Sequence, residues 1–289
     1  MTVILDKTID ARERSAYGPQ ETGPRGVALR LLGPLEIVVG SSEVQLPQRK
    51  LRQLLATLLI RPNATVSNES LIRELWGDRP PATALAALRV YVSQLRKFLI
   101  RHDLDGRWCT LRTRAPGYQL QVNEGILDTV CFDRLCALAA ESASAGHHEL
   151  ALKQYREALD LRRGPTLEGL RESSALSGTA LQYDEAWMSA LKRRIDLDLK
   201  LGRHLEIIGE LSRLVAENPL SEGFCARLMT VLHRSGRSGD ALAAYRRTRA
   251  HLIEELGIEP GLELCMSHQA VLADDSAFHL SMRASARSA

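Results

Sequence analysis

At 289 residues the chain exceeds one typical domain, and 45% hydrophobic residues at a net charge of +3 fit a two-domain protein with cores that need no staples. Five cysteines (Cys109, Cys131, Cys136, Cys225, Cys265) form no CxxC pair and have no histidine at ligand spacing, which argues against a disulfide framework or zinc site. No run of about 18 uncharged apolar residues occurs, and Asp6, Lys7 and Asp10 break the opening Val3-Ile4-Leu5, so neither a membrane span nor a signal peptide is expected and the cytoplasm is the expected location.

Residues 1–26, with Gly18-Pro19, Gly23-Pro24 and alternating charges, read as a mobile arm. Short strands follow at 28–32, at 35–39 after Gly33-Pro34, and at 44–46 after Gly40-Ser41-Ser42, which together predict an antiparallel meander. Three helical runs come next, at 48–60, 68–76 and 82–101. Arg61-Pro62-Asn63 stops the first and Ser67 caps the second. Gly77 and the pair Pro80-Pro81 end the second, because glycine takes the left-handed cap and proline cannot continue the ladder. On the third run Leu88, Val92, Leu95 and Leu99 recur at helical spacing, while Arg89, Ser93, Arg96 and Lys97 mark the other face. Two helices joined by a tight break, the second presenting cations, are the sequence form of a helix-turn-helix. Strands return at 108–114 and 118–122 around Ala115-Pro116-Gly117, a hairpin bearing Arg112 and Arg114. Strands, three helices and a hairpin predict an α+β winged helix over 27–122.

From residue 128 strands disappear and a repeat emerges. Aligning Gly146, Gly202 and Gly236 brings Ala151-Leu152, Ile207-Ile208 and Ala241-Leu242 into register, and then Tyr155, Leu211 and Tyr245. Gly202 and Gly236 are 34 residues apart, the tetratricopeptide period. Gly146 and Gly202 are 56 apart, so residues 162–179, rich in Gly, Pro and Ser, read as an insertion between units. The second domain, 128–273, is therefore expected to be all-α and tetratricopeptide-like, followed by a polar tail at 274–289. The chain as a whole is mainly α.

Charge is distributed unevenly. Residues 27–122 hold 14 Lys/Arg against 7 Asp/Glu, a surplus of seven, whereas residues 123–289 carry a net −4. A basic front on an acidic rear suits one domain that meets phosphate and another that meets protein. Phosphate loops, dinucleotide fingerprints, HExxH and GxSxG are all missing from the sequence. The pair His147-His148 falls at a helix turn, and Asp196 and Asp198 face different sides of one helix. The chain reads as no enzyme and as needing no cofactor or metal. Candidate DNA-binding residues are Arg49, Lys50, Arg89, Ser93, Gln94, Arg96, Lys97, Arg101, Arg112 and Arg114. Among them Arg49, Lys50, Arg96, Lys97 and Arg114 are assigned to phosphates, and Arg89, Ser93 and Gln94 to base edges.

Several strings then point to a family. Leu31-Leu32-Gly33-Pro34-Leu35-Glu36, the stretch from Leu71 through Glu74-Leu75-Trp76-Gly77-Asp78-Arg79-Pro80-Pro81 to Thr83, Tyr91-Val92-Ser93-Gln94-Leu95-Arg96-Lys97 and Pro116-Gly117-Tyr118 resemble the Streptomyces antibiotic regulatory protein (SARP) family. So do Leu201-Gly202-Arg203-His204, Ala241-Leu242-Ala243-Ala244-Tyr245-Arg246 and Glu254-Glu255-Leu256-Gly257-Ile258-Glu259-Pro260-Gly261. The resemblance implies an OmpR/PhoB-type winged helix joined to a bacterial transcriptional activation domain. It implies an activator of a secondary-metabolite (antibiotic) gene cluster that binds direct repeats near the −35 element, with a second copy head to tail on double-stranded promoter DNA. RNA polymerase and its principal sigma factor are the implied protein partners, met near Gly77, Asp78, Arg79 and Pro80. Larger relatives append an ATPase or sensor, and this chain would be a small stand-alone member. It departs from the family pattern in carrying Leu85, Ala86 and Ala87 where polar residues usually open the recognition helix. Specificity is therefore expected to rest on Arg89, Gln94, the hairpin and DNA shape. The competing readings are a tetratricopeptide interaction module that reads no sequence, and a repressor using the same DNA-binding domain.

Overall fold

A computed structural model describes residues 26–273, and the predicted arm and tail lie outside them, apart from Gly26. The chain opens with an antiparallel sheet of β1 (Val27–Arg30), β2 (Glu36–Val39) and β3 (Ser42–Glu43) in the order β1-β2-β3. Leu29 pairs with Ile37, and both side chains are buried. The third strand is not at 44–46, as the apolar residues there suggested. Gly40 at φ 65° and Ser41 form a two-residue loop, so pairing resumes at once with Val39 opposite Ser42, and Leu46 is left to anchor the exit toward the first helix.

Helix α1 (Arg49–Leu59) is buried continuously from Gln53 to Leu59 and is the hub of the first core. Strand β4 (Thr65–Ser67) leads into α2 (Asn68–Trp76), where the Ser67 hydroxyl accepts the Ser70 N–H at 3.1 Å as the capping argument required. Helix α3 (Ala84–Arg101) starts two residues later than predicted, because a turn closed by Ala84 N–H to the Pro81 carbonyl takes up Ala82 and Thr83. The hairpin β5 (Cys109–Arg114) and β6 (Gly117–Val122) pairs Arg114 with Gly117. Sequence reasoning missed β4, which pairs with β6 and completes a sheet ordered β4-β6-β5.

The helices that follow are α4 (Asp128–Ser144), α5 (His148–Asp160), α6 (Ser174–Lys200), α7 (His204–Glu217), α8 (Glu222–Arg234) and α9 (Ser238–His251). A π-turn at Leu252–Leu256 and α10 (residues 262–273) complete them. Gly146, Gly202 and Gly236 stand at equivalent inter-helix turns with φ of 81°, 79° and 74°, which is why the three align in sequence. Ala151, Tyr155, Ile207, Leu211 and Ala241, at matching offsets, are buried.

Packing divides the chain into two compact units. Among the described residues one comprises 26–141 with Lys153–Ala190, the other Ser142–Leu152 with 191–273. In the first unit the predicted insertion proves to be a packed connector, residues 161–173, and its last six predicted residues already belong to α6. The connector is held by backbone carbonyls just past the end of β1. Arg163 N–H donates to the Leu32 carbonyl (2.8 Å), Leu167 N–H to the Leu31 carbonyl (2.9 Å), and the Leu167 side chain joins the winged-helix core. From the other side Asp128, the first residue of α4, accepts the N–H groups of Leu31 and Leu32 at 2.8 and 2.9 Å. Burial pushes the Asp128 carboxyl up to about 6, against the opposing pull of the Leu32, Leu31 and Thr129 N–H groups and the Arg163 charge.

In the second unit Arg194 bonds to Asp198 (3.1 Å) and Glu210 (2.8 Å), while Asp196 turns away to Arg227 (2.7 Å). The two carboxylates thus serve separate ion pairs, in keeping with their spacing on the helix. Among the described residues no helix is long and apolar enough to cross a membrane.

Candidate nucleic-acid interface

Helix α3 is fixed by one face and offers the other. Ala84, Leu88, Val92, Leu95 and Leu99 are buried, in one core with Leu51, Leu54, Leu55 and Leu58 of α1 and Leu71 and Leu75 of α2. At 3.6 residues per turn the opposite stripe is centred on Ala86, Val90, Ser93 and Lys97, all exposed. Exposed Arg89 flanks that stripe on one side, with half-buried Gln94 and exposed Arg101 on the other. The preceding break is set by Gly77, which caps α2 at φ 67° with its N–H on the Arg73 carbonyl (2.7 Å). Gly77, Asp78, Arg79 and Pro80 are all exposed.

The hairpin stands beside α3 and is tied to it by Arg96. Its Nε donates to the Leu111 carbonyl at 3.0 Å, its Nη2 to the Thr113 hydroxyl at 2.8 Å, and its guanidinium lies 6.0 Å from the centroid of the Tyr118 ring. Leu111 and Leu120 anchor the hairpin inward, which leaves Arg112, Thr113 and Arg114 outward. Gly117 has to be glycine here. A Cβ would stand 2.0 Å from the Val66 carbonyl oxygen, where β6 crosses the end of β4.

The predicted cations sort into two groups. The side chains of Arg89, Lys97, Arg101, Arg112 and Arg114 are exposed and make no ion pair or hydrogen bond among the described residues. Arg49, Lys50 and Arg96 are engaged within the first unit. Arg49 pairs with Glu172 of the connector, and the Lys50 ammonium donates to the Leu75 carbonyl, 5.9 Å from the Trp76 ring centroid. Desolvation there, reinforced by neighbouring Arg49, holds Lys50 below its usual value. Ser93 is exposed on the central stripe, whereas the Gln94 Oε1 is buried without a hydrogen-bond partner. Sequence reasoning passed over Val90, 55% exposed at the middle of the stripe. Its offsets of four from Ala86 and three from Ser93 carried that signal, masked by its being apolar.

This arrangement of helices, hairpin and helical repeats has counterparts among known proteins. The model of the bacterial transcriptional activator domain matches residues 127–272, and that of the C-terminal domain of transcriptional regulatory proteins matches residues 41–120. The regulatory protein DnrI of Streptomyces peucetius is 34% identical over 252 residues, covering 86% of this chain and 92% of DnrI. The chain belongs to the Streptomyces antibiotic regulatory protein family. A further relative, the transcriptional regulator RedD of Streptomyces coelicolor, is 35% identical over 267 residues, with 92% of this chain and 76% of RedD covered. The solved structure of Mycobacterium tuberculosis EmbR in complex with a low-affinity phosphopeptide superposes with a TM-score of 0.80 at 33% identity, over 86% of this chain and 65% of EmbR. As a member of this family the chain is a DNA-binding transcriptional regulator, an OmpR/PhoB-type winged helix followed by a helical activator domain. Within that fold α3 stands in the position of a winged helix's third helix and the β5–β6 hairpin in the position of its wing.

Proposed function

We propose that this SARP-family regulator activates a secondary-metabolite (antibiotic) gene cluster by binding direct repeats near the −35 element and bringing RNA polymerase with its sigma factor to the promoter. The observation that carries the DNA half is the set of unpartnered cations on two adjoining elements, Arg89, Lys97 and Arg101 on α3 and Arg112 and Arg114 on the wing. Lys97, Arg101, Arg112 and Arg114 contact phosphates, while Arg89 and Ser93 meet base edges and Gln94 does so after swinging outward. Arg49, Lys50 and Arg96 act from within, fixing the connector, the end of α2 and the wing. The DNA-binding part spans 27–122 and the activating part 128–273. The exposed turn Gly77-Asp78-Arg79-Pro80 faces the polymerase, and copies on adjacent repeats meet head to tail, so that binding is cooperative in repeat number.

The test is a footprint of the full chain on promoters of the cluster around its own gene, at low and high salt, followed by transcription with purified polymerase. A salt-sensitive protected repeat and increased transcript support the proposal. Protection with decreased transcript makes the protein a repressor, and no protection by folded protein favours an interaction module. Equal affinity for one repeat and for two refutes the tandem arrangement.

A further inference from the structure

The recognition helix carries a residue that neither folding nor phosphate binding accounts for. Val90 is 55% exposed and occupies the centre of the outward stripe, one turn after Ala86 and one turn before Ser93 and Gln94. A β-branched side chain is a poorer helix former than alanine, and at this exposure it returns little through burial. Two methyl groups thus stand where a winged helix presents its base-reading side chains.

The geometry points to Val90 as a specificity-determining residue that reads one thymine per repeat through its 5-methyl group. This rests on the proposal that α3 enters the major groove. Of the four bases only thymine offers a methyl on its major-groove edge. The valine methyls can pack on that group but cannot bond to the cytosine amino group or the guanine O6. Burying either against Val90 would strip its water and return no partner. The same side chain therefore attracts thymine and rejects cytosine and guanine. Ala86, one turn earlier, keeps the approach clear with a single methyl, and Arg89 on the flank is free to read a guanine at a neighbouring step.

The experiment takes the sequence that the full chain selects from a random duplex pool and replaces each thymine singly by deoxyuridine, which removes only the methyl. Dissociation constants are then measured for the wild type and Val90→Ala, a substitution that an exposed helical site accepts without loss of fold. The expected result is one thymine in each repeat whose demethylation weakens wild-type binding about fourfold, the worth of one buried methyl. Val90→Ala should weaken binding to the thymine duplex by a similar factor and be indifferent to deoxyuridine at that position. Wild-type binding indifferent to every replacement would overturn the inference while leaving sequence-specific binding intact. So would a sensitive position that remains as sensitive in Val90→Ala. If the chain selects no sequence at all, groove reading by α3 fails and the inference falls with it.

Discussion

Replacing Asp128 by alanine sets two opposed effects against each other at a site where both have a size. The carboxylate accepts the N–H groups of Leu31 and Leu32, residues only 1% and 2% exposed, so its removal leaves two buried donors without acceptors. At about 1–3 kcal/mol per orphaned group the loss is about 4 kcal/mol. Against this, the carboxyl is raised from 3.8 to about 6, so holding it ionised at pH 7 costs about 3 kcal/mol, which the substitution relieves. The net cost at pH 7 is therefore about 1 kcal/mol. The sign of the pH dependence follows. A carboxyl raised in the folded state keeps its proton between the unfolded and folded values, so its contribution is greatest below about pH 4, declines as pH rises through about 6 and then levels off. At pH 5 roughly half of the ionisation penalty remains, and Asp128→Ala should cost about 1 kcal/mol more there than at pH 7. Urea unfolding of wild type and variant at the two pH values measures this, with tryptophan fluorescence as the probe, since Trp76, Trp108 and Trp187 all lie in the first unit. A cost that is equal or smaller at pH 5 would refute the reasoning, because the surrounding donors would then outweigh desolvation and keep the carboxylate ionised.

Four further outcomes separate reading from support. Lys97→Ala should lower the slope of log affinity against log salt by about 0.9, one phosphate contact, in anisotropy titrations between about 50 and 200 mM salt. Arg96→Ala should leave that slope unchanged and instead lower stability by about 1–3 kcal/mol, read by thermal melting, as the bonds to the Leu111 carbonyl and Thr113 are lost. Gly117→Ala should cost about 3 kcal/mol or more and weaken DNA binding, because its Cβ meets backbone atoms of Val66 and Ser67 and neither strand can yield without breaking the β4–β6 pairing; an unchanged melting temperature would exclude the steric account. Ser67→Ala removes the cap of α2, with the hydroxyl's bond to Ser70, and should cost about 1 kcal/mol in the same melt.

What the sequence revealed, it revealed through local chemistry. The stripe Leu88, Val92, Leu95, Leu99 placed α3, Ser67 and Gly77 bounded α2, and three glycines forced into the left-handed region made the helical repeat visible. The parts it hid depend on partners far along the chain. Three residues at Thr65–Ser67 are too few to show alternation and become a strand only because β6 lies alongside. Formal charge marked Arg49, Lys50 and Arg96 alike with Arg89 and Lys97, yet a long cationic side chain bonds to whatever tertiary structure brings near. For Arg49 that is Glu172, 123 residues away, and for Lys50 a helix-end carbonyl. Val90 stayed hidden for the converse reason, since an apolar residue in a helix is read as core until its exposure is known.

The connector carries the same lesson into the organisation of the protein. Its Gly, Pro and Ser content read as an interruption between repeats, but Leu167 and Leu170, with Leu176 at the start of α6, belong to one hydrophobic cluster with Leu29, Leu54 and Leu95 of the winged helix. Leu31 and Leu32 explain why. Their two N–H groups are spent on Asp128 and the Leu32 carbonyl on Arg163, while the Leu31 carbonyl is shared between Gly33 and Leu167, so the end of β1 is fully bonded only when residues beyond 122 are present. A piece ending at Val122 would keep every exposed cation of α3 and the wing and still leave the Leu31 and Leu32 N–H groups and the Leu32 carbonyl, and the apolar surface around Leu29 and Ile37, without their partners. The stable unit that presents α3 and the wing is thus larger than the recognition elements themselves. It draws on the first helices of the activator domain for part of its core.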